Sequence, residues 1–141
     1  MAYVSQEKKK ELAPAIQKVL KKYGMKGTIA VRHGMSLVVN IKEGALDLLG
    51  VAQKHTDMVN ERRGMKYNGD VGTYLQVNET YAAQWAREVG EETVAEFYDE
   101  LVAAMKGTGW YNNSDIMSDY FDVAYYLDIN VGKWDKPYCL K

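Results

Sequence analysis

Cysteine, histidine and long apolar runs are scarce in this sequence of 141 residues, and each scarcity excludes a class of protein. The single cysteine, Cys139, cannot form an internal disulfide, which argues against a disulfide-stabilised secreted scaffold and fits a reducing compartment. No apolar run approaches the roughly 20 residues that a membrane-spanning helix needs. The first residues lead into three lysines and an amphipathic pattern rather than the apolar core of a signal peptide. We therefore expect a cytoplasmic protein with no membrane partner.

The two histidines, His33 and His55, offer little support for catalysis. His33 falls in a predicted turn, and His55 lies on the apolar stripe of a predicted helix, where a hydrogen-bonded boundary residue is a simpler interpretation than a base. No Cys/His or Ser/His/Asp pattern accompanies them, and no glycine-rich phosphate loop is present. We therefore predict a protein that is not an enzyme and that uses no cofactor or metal ion.

What the sequence does contain is an unbroken two-residue alternation at residues 120–131. The apolar positions are Phe121, Val123, Tyr125, Leu127, Ile129 and Val131, and the alternate positions are Tyr120, Asp122, Ala124, Tyr126, Asp128 and Asn130. Because successive side chains of a strand point to opposite faces, one face is apolar and the other is built mainly of Tyr, Asp and Asn. Such a strand is expected near the centre of an antiparallel sheet with one covered side.

Three other segments alternate in the same way and complete the predicted sheet. Strands are expected at 28–33, 35–42 and 71–77, the first two joined as a hairpin by a His-Gly turn. With 120–131 they form an antiparallel sheet of about four strands. The chain is near the usual size of one domain, so the sequence predicts a single α+β domain over residues 1–141 with helices packed on the sheet.

Four segments carry apolar residues at helical spacing. The first begins at Ser5, a good N-cap, and ends at Gly24. Pro14 either kinks this helix or places its regular start near Ala13. The second helix is expected over 45–63, and the last two lie between Asn78 and the glycines at 107 and 109.

Parts of the sequence resemble known proteins. The order of basic helix, hairpin and loop at residues 18–23 (KVLKKY), 27–32 (GTIAVR) and 36–41 (SLVVNI) resembles a large-polyvalent-protein-associated domain. The residues of 113–122 and 129–138 are similar to the closing segment of small phage proteins of uncharacterised function. The resemblance implies a small intracellular accessory protein of a phage or mobile element, and it carries no catalytic residues over to this chain.

Tyrosine is unusually frequent, with eleven residues, and it marks the candidate site. The polar side of the predicted strand, together with neighbouring strands, groups aromatic and hydrogen-bonding side chains into one candidate binding surface. Its predicted members are Tyr120, Asp122, Tyr126, Asp128, Tyr74 and Arg32. Helices could cover this surface, or it could be open as a binding platform, because Tyr provides a large contact area at low entropic cost.

Carboxylates are dense in the same region. Asp115, Asp119, Asp122 and Asp128 could supply oxygen ligands to Mg²⁺ or Ca²⁺. Their spacing matches no metal-binding loop, however, and Ser-Asp pairs are common in turns and helix caps. A structural use of these residues is therefore favoured over a divalent-metal enzyme.

Charge is divided between the two halves of the chain. Residues 1–66 hold 13 Lys or Arg and 6 Asp or Glu, whereas residues 67–141 hold 5 and 13, so the halves carry +7 and −8. In a compact domain the acidic half repels a phosphate backbone, so we expect no tight nucleic-acid binding.

Three functions remain open from the sequence. The favoured hypothesis is a non-enzymatic phage or mobile-element accessory protein that binds a host or phage macromolecule, with a protein as the expected partner and counter-defence as one role it could have. The alternative is a small-ligand or nucleotide binder that uses the Tyr/Asp face, and the metal enzyme ranks last.

Overall fold

A computed structural model describes residues 2–64, 71–113 and 123–141 of the chain. Within these residues the chain forms four helices and five strands, which confirms the α+β class. In chain order they are α1 (Gln6–Lys22), β1 (Met25–Arg32), β2 (Ser36–Gly44), α2 (Leu48–Arg62), β3 (Leu75–Val77), α3 (Ala82–Glu88), α4 (Glu92–Lys106), β4 (Tyr126–Val131) and β5 (Cys139–Leu140).

The strands form one mixed sheet in the order β1-β2-β4-β3, with β5 paired to the far end of β2. The β1–β2 and β3–β4 pairs are antiparallel, as the sequence predicted, but β4 and β5 both run parallel to β2. The parallel pairing follows from the connection: between β2 and β4 the chain passes through α2, β3, α3 and α4, which is long enough for a crossover. The predicted central place of β4 is confirmed, since it lies between β2 and β3.

Helix α1 shows how local sequence fixes an element. The Ser5 side chain accepts a hydrogen bond of 3.0 Å from the Lys8 backbone N–H, as an N-cap residue should. Pro14 lies inside the helix, so the alternative start near Ala13 is wrong. Gly24, with φ of 70°, follows the helix and allows the chain to turn into β1.

The apolar core lies on one side of the sheet. Leu37, Val39 and Ile41 of β2 and Leu127, Ile129 and Val131 of β4 are buried in a single cluster with the inward side chains of all four described helices. Helix α1 packs on β1 and on α4, whereas α4 packs on β4. The alternation predicted for β4 is confirmed, because its odd-numbered residues form the core face.

Two predicted strands differ in extent from the structure. The strand predicted at 120–131 is observed as Tyr126–Val131, and Val123 forms an isolated bridge to Asn112. Residues 114–122 lie outside the described residues, and with them four predicted site or cluster positions: Asp115, Asp119, Tyr120 and Asp122. The strand predicted at 71–77 is shorter, Leu75–Val77, because pairing with β4 begins only at Leu75.

Candidate binding face

The side of the sheet opposite the core carries rows of mainly polar side chains, and we call it the polar face. Residues directly paired across neighbouring strands share a face, so the register defines its membership. The rows are Arg32, Ser36 and Tyr126; then Ala30, Val38 and Asp128; then Thr28, Asn40, Asn130 and Gln76. The sequence placed Arg32, Tyr126 and Asp128 in the candidate site, and the structure brings all three onto this face.

Asp128 joins three strands of the polar face. Its carboxylate lies 2.5 Å from the Arg32 guanidinium of β1, and it accepts a 3.3 Å hydrogen bond from the Gln76 amide of β3. Asp128 is only 7% exposed, whereas the Arg32 side chain remains 52% exposed. Asp128 is therefore better described as the residue that positions Arg32 than as a group a ligand would touch.

The ion pair explains an isolated buried residue. Arg32 and Asp128 lie two strands apart, so their side chains must meet above β2, at the level of Val38. Val38 is 3% exposed although it does not belong to the core cluster. The aliphatic stem of Arg32 can cover apolar surface while the charged group stays in water. The pair is therefore placed where the Arg32 stem can cover Val38, and it holds the guanidinium over the centre of the face.

Further along the face, Asn130 of β4 donates a 3.2 Å hydrogen bond from its amide to the Asn40 side chain of β2. Tyr126, 44% exposed, stands at the opposite end. Tyr74 is also exposed, but it precedes β3 and lies outside the strand ladder. Of the predicted binding residues that the structure describes, Arg32 and Tyr126 are therefore the two on the polar face that offer substantial surface.

Sequence reasoning did not identify Trp134 as a site residue. Lys133 and Lys136 exchange both backbone hydrogen bonds, of 2.8 and 3.1 Å, which leaves Trp134 and Asp135 at the tip of a tight turn. We call residues 133–136 the Trp134 turn. Trp134 is 80% exposed, the most exposed of the large apolar side chains in the described residues. The signal was present in the sequence, as a tryptophan in the polar run Gly-Lys-Trp-Asp-Lys at residues 132–136.

The segment that carries the Trp134 turn is held at both ends. Gly132 donates a 2.8 Å hydrogen bond to the Ile41 carbonyl and has φ of 69°, and a Cβ there would lie 2.6 Å from the Tyr138 backbone nitrogen. Beyond the turn, the Tyr138 hydroxyl donates a 2.5 Å hydrogen bond to the Leu46 carbonyl, and β5 pairs with β2. The exposed tryptophan therefore sits on an anchored loop.

The Trp134 turn borders the polar face. A depression of about 340 Å³ is lined by Asn40 and Lys42 on the β2 side and by Gly132, Lys133 and Lys136 on the tail side. Three of these five residues are lysines, and all three are exposed. This end of the face is therefore basic, because Glu43, which also lines the depression, is already paired with Lys26 and Lys141.

The remaining candidate chemistry finds no geometric support in the described part of the chain. His55 Nε2 lies 2.9 Å from a Glu88 carboxylate oxygen, and His33 occupies the hairpin turn with φ of 53°. Among residues 2–64, 71–113 and 123–141, no three His, Cys, Asp or Glu side chains are placed to hold a metal ion. The predicted carboxylate cluster lies largely outside these residues, and its described member, Asp128, is committed to Arg32.

The chain matches no protein-family model, no curated protein and no solved structure. In the ranges that the structure covers, no helix has the length and apolarity needed to cross a membrane.

Proposed function

We propose that the protein is a non-enzymatic binding module that recognises a protein partner through the polar face and the Trp134 turn. The observation that carries this proposal is the division of the sheet: the described helices bury its apolar side, whereas its polar side presents exposed Arg32 and Tyr126. The exposed Trp134 turn borders the other end of this polar side, at Asn40 and Lys42.

The chemistry of the exposed groups favours a protein partner. Trp, Tyr and Arg are the residues most enriched among those that dominate protein interfaces. Arg32 is held by Asp128, and Trp134 is displayed by an anchored turn, so little side-chain or loop entropy is lost on binding. Lys42, Lys133 and the neighbouring Lys136 favour an acidic partner segment at that end of the face.

The alternative, a small ligand or nucleotide on the same face, has weaker support. A small molecule is bound best in a concave site that removes most of its surface from water. The polar face is a sheet surface, and four of the nine residues that line the depression next to it at Lys42 are charged. The phage or mobile-element setting implied by the resemblance stays a prediction, with counter-defence as one role within it.

The test uses matched substitutions on and off the face. Affinity capture and quantitative binding would compare the wild type with three variants: Arg32→Ala, Tyr126→Ala and Trp134→Ala. Arg87→Ala and Tyr81→Ala, on α3 and at its start, are the controls, since these side chains are similarly exposed but lie on the helical side. Truncation of a central interface residue typically costs 2 kcal/mol or more, so we expect each face variant to weaken binding by about 30-fold.

Two results would refute the proposal. One is a protein partner whose affinity falls with the control variants but not with the face variants. The other is sub-micromolar DNA or RNA binding near 150 mM salt that is lost when Lys18, Lys21 and Lys22 are changed to Glu, which would identify the basic half of the chain as a nucleic-acid site.

A further inference from the structure

An apolar cavity of about 310 Å³ lies between α2, α3 and β3, away from the polar face. Its walls combine aliphatic residues with three ring side chains and with the neutral polar residues Thr56, Gln76 and Asn78, and no Asp, Glu, Lys or Arg lines it. The lining residues used below are Ala52, His55, Gln76, Trp85 and Tyr98. The volume is in the range of natural small-molecule sites.

Among the residues with polar side chains that line this cavity, Tyr98 is the most buried. The Tyr98 side chain is 5% exposed and lines the cavity, and burial raises the pKa of its hydroxyl well above the ordinary value of 10. Within the described residues the hydroxyl makes no hydrogen bond, in contrast to the other two buried tyrosines: Tyr125 and Tyr138 both donate to backbone carbonyls. No fully buried side-chain polar atom of the described residues lacks a hydrogen-bond partner, so the Tyr98 hydroxyl keeps some exposed surface, and a polar atom of a ligand in the cavity can pair with it.

One wall of the cavity is aromatic. The Trp85 ring stacks on His55, with ring centroids 4.9 Å apart and planes inclined by 18°. It also stacks on Tyr81, with centroids 5.9 Å apart and planes inclined by 21°. The His55 ring is fixed by the 2.9 Å contact with Glu88. These rings order one another, so a ligand that contacts the part of the stack lining the cavity costs little side-chain entropy.

We propose that this cavity binds a small, uncharged, mainly apolar molecule of one or two rings whose single polar group hydrogen-bonds to Tyr98. An ion is disfavoured, since the lining offers no opposite charge to offset its desolvation. The site is separate from the proposed protein-binding face, although Gln76 belongs to both, as a cavity residue and as a partner of Asp128.

Phenol and toluene are the probes, because they have nearly the same shape and differ in the hydroxyl group. Titrations of the full chain, followed by ¹H–¹⁵N chemical shifts and calorimetry, should show saturable binding of both, with phenol preferred. Tyr98→Phe should remove that preference, a loss of about tenfold for phenol, which corresponds to about 1.4 kcal/mol, with toluene unchanged. A role of Tyr98 in folding alone would not distinguish the two probes.

Filling the cavity provides the second test. Ala52→Phe adds a ring to the lining from half-buried α2 and should abolish binding of both probes, whereas Ala103→Phe, on the exposed side of α4, should leave binding intact. If the thermal melt shows that Ala52→Phe does not fold, Trp85→Leu replaces it and should weaken both probes by removing the aromatic wall. Absence of saturable binding by wild type, binding that survives the filled cavity, or a phenol preference that persists in Tyr98→Phe would each overturn the proposal.

Discussion

Removal of one hydroxyl from Tyr125 is expected to destabilise the fold far more than the same change at the adjacent Tyr126. The Tyr125 hydroxyl donates to the carbonyls of Met105 and Lys106, at 2.5 and 2.9 Å. Both carbonyls belong to the last turn of α4, where the helix itself supplies no further N–H donor. The Tyr125 side chain, which lies just before β4, therefore caps the C-terminal end of α4.

The magnitude follows from what Phe would leave behind. Tyr125→Phe removes about 1 kcal/mol of net hydrogen bonding and leaves partly buried carbonyls without this donor, so about 2 kcal/mol in total is expected. For 141 residues the unfolding entropy is about 0.3 kcal/mol/K, so the melting temperature should fall by about 7 °C. Tyr126 is exposed on the polar face, so Tyr126→Phe should change stability by less than about 0.5 kcal/mol.

Chemical denaturation and calorimetry of the two variants measure this difference directly. The denaturant slope should be equal in both, since neither substitution changes the surface exposed on unfolding. Equal stability of Tyr125→Phe and Tyr126→Phe would show that the α4 carbonyls find other partners and that the reasoning about this cap is wrong.

Three further predictions concern the core, the hairpin and alkaline pH. Ile129→Asp places a carboxylate in the core and should unfold the domain, whereas Tyr126→Asp, on the opposite face of β4, should remain folded by circular dichroism. His33→Gly should raise the free energy of unfolding by up to about 1 kcal/mol in urea, because φ of 53° is strained for any side chain; a loss of stability would contradict this. Burial, reinforced by the charge of Asp47, raises the pKa of Tyr138 to about 12, so the folded state favours the neutral phenol. This contribution to stability is complete below pH 10 and is lost as the pH rises to about 12. Tyr138→Phe should therefore lessen the loss of stability at alkaline pH. An unaltered loss would exclude Tyr138 as its source.

Much of the fold could be predicted from two-residue alternation, because the side of a strand that a residue occupies depends only on local geometry. The core positions Leu127, Ile129 and Val131, and the opposite position of Asp128, follow from it. The direction of β4 relative to β2 does not, since alternation is the same for parallel and antiparallel strands. The β5 pairing was also missed, because two residues are too few to form a pattern.

The candidate site was likewise only partly predictable from local sequence. Local alternation placed Arg32, Tyr126 and Asp128 on polar positions, but the pairing of Arg32 with Asp128 depends on the register of three strands, which no single segment encodes. The exposed position of Trp134 could not be predicted without knowing that its turn is anchored on β2 and beside Thr73. The cavity was not predictable at all, because Tyr98 fits the apolar stripe of α4 and only tertiary structure leaves its hydroxyl without a partner.

The position of β4 in the sheet has a consequence for how the chain acquires its fold. Ribosomes synthesise β1, β2 and β3 before β4, yet β4 lies between β2 and β3, with Asn130 pairing with Asn40 from 90 residues earlier. Until β4 emerges, one edge of β2 and one edge of β3 have no neighbour, and such edges invite pairing with other chains. Completion of the sheet must therefore follow translation of β4. A circular permutant could start before β4 and join the present termini through a linker. It should change the order in which the strands assemble without altering the contacts of the folded state.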